Sequence, residues 1–326
     1  MAGGHWLIES GCLSDICASY RLGTWTGEWR QLGGAFNDHV GFTTDRGEFV
    51  LRISGGATEA EQLLEIYHIQ LALDAKGVRV PIPLMAEGDV PYTKVAGRLL
   101  QVMPFVNGEP FSGGEGQVHA SGFALRSFHE ALAGADVMGG CQLVPAVSFF
   151  RSYANCSDAL GTLDSIERIS RYGVAEARST AETIYEHWHA GEAELPQCIN
   201  HGDWHLWNQL YEGDRVVCVL DLDNMHAGPR LLDIGYAMWV IHILTPNYSD
   251  VYRRAFLSGY GAMSEREIEM LPYAVAAIAL SFLCHAADSA NPLRKWLKQY
   301  ATQMPFIRWL LAEGGEKLRE DARGGG

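Results

Sequence analysis

The chain is short of positive charge: 25 lysines and arginines stand against 39 aspartates and glutamates, a formal net charge of -14. A surface of that sign repels nucleic-acid phosphates and anionic headgroups, which excludes charge-driven binding to nucleic acid or membrane and suits a cationic substrate or a metal-nucleotide. Cysteine lacks order. The seven, at 12, 17, 141, 156, 198, 218 and 284, are odd in number, show no metal spacing and follow no basic-then-apolar leader. A disulfide scaffold is excluded and a reducing cytoplasm expected. Long apolar runs are scarce too. The uncharged stretch Leu271 to Ala287 contains Pro272 and His285 and reads as a buried core helix rather than a membrane span.

What is present is enough chain for two lobes. With 326 residues, 48% hydrophobic and 20% charged, each lobe can hold its own core. The first hundred residues read as short strands and turns around one helix. Val40 to Thr44 and Glu48 to Ile53 are β-rich runs joined by an Asp45-Arg-Gly47 turn. Thr58 to Lys76 carries Leu63, Leu64, Ile66, Tyr67, Leu71 and Leu73 on one broad face, with Gly77 as its stop. Val80-Pro-Ile-Pro83 forces extended backbone, Arg98 to Met103 is another strand, and Pro104 to Gly108 is a connector. The remainder is helical: Ala120 to Leu132 (with Phe123, Leu125 and Phe128 in its apolar spacing), Val174 to Ala190, Leu232 to Ile243, Val251 to Ser258, Glu265 to His285 and Leu293 to Ala312. A β-rich insert runs from Gln209 to Asp221, turning at Glu212-Gly-Asp214. The tail from Gly314, charged and glycine-rich, is expected to fray.

The chemistry concentrates in one place. His201-Gly-Asp-Trp-His-Leu-Trp-Asn208 is followed, after the insert, by Val219-Leu-Asp221-Leu-Asp223. A nucleoside triphosphate carried with Mg²⁺ needs hard oxygen ligands, which Asn208 and Asp221 supply where thiolate or imidazole would not. Transfer to an alcohol also needs a carboxylate outside the metal shell to orient the hydroxyl and take its proton, the role expected of Asp203. Asp223 either joins the metal site or hydrogen-bonds the loop. Between Gly191 and Gly235 the acids Glu192, Glu194, Asp203, Glu212, Asp214, Asp221, Asp223 and Asp233 face only Arg215 and Arg230, so the acidic excess surrounds this run. His201 and His205 have a zinc-compatible spacing on a helix, but Gly202 and Asp203 between them disfavour one. His201 is read as bracing the loop, Trp204 and Trp207 as packing, and His129 as a satisfied core histidine.

These residues resemble the aminoglycoside phosphotransferase and choline kinase-like superfamily, distant relatives of protein kinases. The His-Gly-Asp-x-x-x-x-Asn pattern falls on His201, Gly202, Asp203 and Asn208, the strand aspartate on Asp221, and Gly228-Pro-Arg-Leu-Leu-Asp233-Ile-Gly-Tyr on the segment that follows it. The resemblance implies an α+β, bilobal protein-kinase-like fold, with a small β-rich nucleotide-binding N-lobe over residues 1–105 and a larger, mainly helical C-lobe over 106–326. It implies Asp203 as base, Asn208 and Asp221 as metal ligands, and Asp233 as a brace for the catalytic loop. In the first lobe, Leu32-Gly-Gly-Ala-Phe-Asn-Asp-His-Val40 resembles the nucleotide loop, putting Gly33, Gly34 and Asn37 by the phosphates. Arg52 stands where the family strand carries its basic residue, and keeps its charge at any working pH. Glu61 is the expected acidic partner of Arg52, with Glu65 on the same face. Met103-Pro-Phe-Val106 resembles the hinge, offering the Pro104 carbonyl and the Val106 N–H to a purine.

The function implied is an ATP- or GTP-dependent, Mg²⁺-requiring O-phosphotransferase acting on a small polar acceptor: an aminoglycoside or other antibiotic, as in antibiotic resistance, an amino sugar or a nucleoside. The helix from Thr58, the Gly77-Val-Arg-Val-Pro turn and the late Leu271-Pro-Tyr-Ala-Val-Ala-Ala-Ile helix resemble the homoserine-kinase-like branch, so a hydroxy-amino-acid or choline-type metabolite kinase stands beside it. Two other classes are a catalytically silent nucleotide-binding regulator and a glycosyltransferase using Asp221-Leu-Asp223. The last leaves Asp203, Asn208 and Arg52 without a task.

Overall fold

The computed structural model describes residues 12–34, 37–55, 58–133, 143 and 149–325. Ala35 and Phe36 of the glycine loop, and Cys141, lie outside them. The chain divides into two compact units, one ending at Glu109 and including Cys218–Leu220, the other made of Pro110–Val217 and the chain from Asp221.

The first unit is built on an antiparallel sheet of five strands in the order β1-β2-β3-β5-β4. These are β1 (Trp25–Gly33), β2 (Asp38–Thr44), β3 (Gly47–Ile53), β4 (Thr93–Val95) and β5 (Arg98–Pro104), preceded by α1 (Cys12–Ser19) and interrupted by α2 (Ala60–Ala75). Alternation sets the core: Val40, Phe42, Leu51, Ile53, Leu100 and Val102 point to one side and bury against Leu13 and Ile16 of α1. The expected β2–β3 hairpin is present in continuous register, Phe42 opposite Phe49 and His39 opposite Arg52. Gly47, at φ 139°, lets its turn close. β1 had no sequence signal, because most of its side chains are exposed and no apolar alternation marks it. Four further strands follow, β6 (Gln197–Asn200), β7 (Gln209–Glu212), β8 (Arg215–Val219) and β9 (His226–Pro229), and at the end of β8 the Val219 N–H donates to the Arg79 carbonyl at 2.9 Å, tying that short return segment into this unit.

The second unit is helical. Its longer helices among the described residues are α3 (Glu115–Ala131), α4 (Tyr153–Asp164), α5 (Val174–His189), α6 (Leu231–Leu244), α7 (Ser249–Tyr260), α8 (Glu265–Cys284), α9 (Pro292–Trp309) and α10 (Gly315–Gly324). At the centre, α6 buries every residue from Leu231 to Ile241. Gly235 lets α8 approach, since a Cβ there would meet the Ala274 Cβ at 3.2 Å. α8 starts with a full capping box between Ser264 and Glu267, and Glu267 takes a two-pronged ion pair from Arg230 at 2.6 and 2.9 Å. α8 is long and apolar enough to cross a membrane, but 83% of its apolar window is buried inside the protein. It acts as the core helix its proline and histidine suggested.

Two expectations are corrected. The tail does not fray: α10 buries Leu318 and Ala322 one turn apart, and Asp321 pairs with the buried Arg253. Its apolar face is two residues wide, too narrow to stand out amid charge and glycine. Phe123, placed by spacing on the buried face of α3, is 61% exposed, whereas Leu125 and Phe128 are buried.

Candidate active site

The run His201–Asn208 leaves β6 (Gln197–Asn200), a strand paired antiparallel to β9 (His226–Pro229) with Asn200 opposite His226. That pairing brings the chain after Asp221 back beside the start of the loop. Gly202 marks the closest approach. It sits at φ 79°, and an added Cβ would lie 2.1 Å from the Asn224 carbonyl oxygen, so only glycine fits.

The loop is pinned from below by α6. Asp233, 1% exposed, accepts the His201 N–H at 2.7 Å and the Gly202 N–H at 2.8 Å, and lies 3.0 Å from His129 Nε2. Burial alone would raise the Asp233 pKa. The hydrogen bond and charge of His129, the charge of His201 and the Gly202 N–H outweigh it and hold the carboxyl below the usual range. His129, with Tyr260 on its other nitrogen at 3.0 Å, is the satisfied core histidine expected. Above it, the His201 ring packs edge-on against Phe128 and Trp204. Trp204 is fully buried and donates to Ser121 Oγ at 3.1 Å. Trp207 is 43% exposed and meets the edge of Phe111.

Asp203 therefore emerges from a rigid turn, with both carboxylate oxygens engaged. Asn208 Nδ2 donates to its Oδ2 at 3.2 Å and to its backbone carbonyl at 3.0 Å, and Tyr236 Oη donates to Oδ1 at 2.6 Å. His205 accepts the Trp207 N–H on Nδ1, which leaves Nε2 as the protonated nitrogen of the neutral ring, 3.9 Å from Asp203 Oδ1. Burial pushes the His205 pKa down against the pull of Asp203.

Asp221 stands at the end of β8 in the left-handed region, φ 61° and ψ 68°, and is exposed. A non-glycine residue held there is the kind of local strain found where a side chain must be aimed. Asp223 lies half-buried in the short turn Leu222–Asn224. The Tyr236 phenol is pushed far up by burial and then by the charges of Asp203, Asp221 and Asp233 in turn. The donor set fits a hard divalent cation. Asn208 turns its nitrogen toward Asp203, which leaves the amide oxygen as its other arm, and Asp221 adds a carboxylate. Among the described residues no three of His, Cys, Asp and Glu cluster for a metal. One carboxylate and one amide would leave the rest of such an ion's shell to other oxygen donors.

The remaining residues expected at the site belong to the first unit. Gly33 ends β1 at φ 97°. Gly34, at φ 135°, passes so close to the Asn37 carbonyl that a Cβ would fall 1.7 Å from its oxygen. Asn37 Oδ1 accepts the Gly55 N–H at 2.9 Å, closing the loop onto the end of β3. Arg52 is 8% exposed, and its Nη1 donates to Gln101 Oε1 at 2.8 Å, directly across from β3 to β5. Glu61 is exposed on the first turn of α2, while Glu65 is half-buried. Pro104 is exposed at the end of β5, the Phe105 N–H is taken by the Glu48 carbonyl, and Val106 is half-buried. Sequence reasoning missed Gln101 and Tyr236. Register from Arg52 would have found the first; the second carries no local signal, because its helix is buried on every side.

A phosphotransferase enzyme family model matches residues 28–266. A homoserine kinase from Brucella canis is 23% identical over 280 residues, covering 83% of this chain and 82% of its own. Among solved structures, a microcompartment-associated aminopropanol kinase superposes with a TM-score of 0.72 at 17% identity, covering 95% and 99% of the two chains. An amicoumacin kinase in complex with AMP-PNP, Ca²⁺ and Ami gives 0.65 at 14%, covering 93% and 92%. The fold is the protein-kinase-like one expected from the sequence, and the chain belongs to the phosphotransferase enzyme family.

Proposed function

We propose that the protein transfers the terminal phosphate of ATP or GTP to a hydroxyl of a small, amine-bearing acceptor, with the N-terminal unit holding the nucleotide and the C-terminal unit supplying the catalytic loop. The observation that carries this is the Asp203 carboxylate, nine-tenths buried and held on both oxygens by Tyr236 and Asn208 in a loop fixed by Asp233. Asp203 orients the acceptor hydroxyl and takes its proton as the new oxygen–phosphorus bond forms. The bond from the terminal phosphorus to the bridging oxygen breaks, and the nucleoside diphosphate leaves with that electron pair. Asn208 and Asp221 would hold Mg²⁺, with Asp223 beside them; when bound, the ion neutralises charge on the phosphates. Arg52 binds the donor phosphates, Gly33, Gly34 and Asn37 shape the loop over them, and Pro104 and Val106 offer backbone groups to the base. All six described cysteines are free.

The acidic surroundings of the loop favour a cationic acceptor such as an amino sugar or aminoglycoside antibiotic. The homoserine kinase relatives, matched over 280 residues, favour a second reading with a hydroxy amino acid or a short amino alcohol. One assay separates them: purified protein, Mg²⁺ and ATP or GTP against aminoglycosides, spectinomycin, homoserine, aminopropanol, ethanolamine and nucleosides, with the product located by phosphorus NMR. Transfer to an amine-bearing hydroxyl compound is the expected result. Transfer to none, together with no nucleotide hydrolysis, rejects the proposal in favour of a silent nucleotide-binding protein.

A further inference from the structure

The base of the reaction is held by a residue for which its loop gives no hint. Tyr236 Oη lies 2.6 Å from Asp203 Oδ1, the separation of a charge-assisted O–H···O⁻ bond. The phenol is 6% exposed, and burial together with the adjacent Asp203 carboxylate keeps it protonated, so it donates. Its ring has no freedom to leave. Phe149 lies at 5.1 Å, Trp239 at 5.7 Å and Phe282 at 6.3 Å between centroids. Trp239 is itself stacked on Phe282 at 3.8 Å and tied by its Nε1 to Gln303 at 2.9 Å.

The position on the helix explains how one turn of α6 can do two jobs. Asp233 and Tyr236 are three residues apart and share a face. Asp233 fixes the backbone of the loop at His201 and Gly202, whereas Tyr236 fixes the side chain that the backbone presents. With Asn208 on Oδ2, the two donors define the plane of the Asp203 carboxylate and leave its remaining lone pairs for the acceptor. Without the phenol, Oδ1 loses its strongest donor and the carboxylate can rotate about its own bond.

We infer that Tyr236 is a positioning residue for phosphoryl transfer, acting through Asp203 by fixing the orientation of its carboxylate toward the acceptor hydroxyl. The inference rests on the assignment of Asp203 as base, and it adds a requirement at a helix position outside the catalytic loop. Because misplacing a reacting group by about 1 Å can cost on the order of 10²-fold, Tyr236→Phe, which keeps the ring and removes only the hydroxyl, is expected to lower kcat about 10- to 100-fold.

The test is a double-mutant cycle of wild type, Tyr236→Phe, Asp203→Asn and the double variant. Turnover is read as transfer to the best acceptor of the panel above, or as nucleotide hydrolysis if no acceptor is taken. The expected result is a kcat loss in Tyr236→Phe with the nucleotide KM within about twofold and thermal midpoint little changed. Tyr236→Phe should add less than about threefold to Asp203→Asn, because residues acting as a unit are not additive. Full kcat in Tyr236→Phe overturns the inference. So does an equal loss in both backgrounds, or a loss matched by a raised nucleotide KM, since each shows Tyr236 acting other than through Asp203. Unchanged turnover in Asp203→Asn instead refutes the assignment of the base, a separate outcome.

Discussion

Asp233 and Gly202 are joined across 31 positions of sequence by one hydrogen bond, the Gly202 N–H donating to Asp233 Oδ1 at 2.8 Å. The second carboxylate oxygen serves the His201 N–H and His129 together. The start of the loop, at His201 and Gly202, thus hangs from one buried carboxylate. Removing it strands two backbone donors and a histidine in the core, and breaking a buried pair of this kind costs about 3–5 kcal/mol. Asp233→Ala should lose that much stability in denaturant titrations and lose turnover with it. Asp233→Asn, which offers one acceptor oxygen in place of two, should lie between it and the wild type.

Gly202 gives a sharper prediction, because its neighbour is backbone. A methyl group at φ 79° would press on the Asn224 carbonyl at 2.1 Å, and strain in such sparsely populated regions costs on the order of 1–3 kcal/mol before any clash. Gly202→Ala should reduce kcat by at least about tenfold while Gly213→Ala, which shares a positive φ of 58° but where a Cβ meets nothing within 4 Å, leaves turnover close to wild type. Steady-state kinetics of the pair provides the comparison.

Arg52 is set by its Gln101 partner into β3. Lysine keeps the charge but not the planar fork that grips phosphate through two donors. Arg52→Lys should raise the nucleotide KM by roughly tenfold, about 1.4 kcal/mol of binding, with a smaller effect on the acceptor KM. Titrating each substrate at saturation of the other distinguishes the two.

His242 makes stability depend on pH away from the site. Its ring is stacked on Phe306 at 4.2 Å and Trp309 at 4.7 Å. Burial, with help from Arg253 and against Asp250, lowers its pKa from 6.5 to about 4. The unfolded chain therefore binds a proton between pH 6.5 and 4 that the folded protein refuses, so stability is complete above that window and lost as pH falls through it. With the ring partly open to solvent, the loss is discounted to on the order of 1–2 kcal/mol. Thermal melts from pH 7.5 to 4 should show that slope in the wild type and a shallower one in His242→Phe, which preserves the stack.

Much of this was legible in the sequence because the relevant signals are local. Strands β2, β3 and β5 announce themselves as β-rich runs, α8 by its apolar length, and the loop by the fixed spacing of His201, Gly202, Asp203 and Asn208. What escaped depends on tertiary neighbours. The exposed β1 has no alternating face, and α10 has only Leu318 and Ala322 to bury. Tyr236 sits in a helix buried on every side from Leu231 to Ile241, where no periodicity can single out one residue. Glu61 and Glu65 share a face by spacing, but only the packing of α2 leaves Glu61 exposed and Glu65 half-buried.

The central claim is that Asp203 is the base of a phosphotransferase, and its most direct test is turnover of Asp203→Ala under saturating nucleotide, Mg²⁺ and acceptor. Loss of a general base costs on the order of 10²- to 10⁴-fold, and the account predicts a fall in kcat of that size with nucleotide binding preserved. Near-normal kcat in a folded Asp203→Ala protein would contradict it.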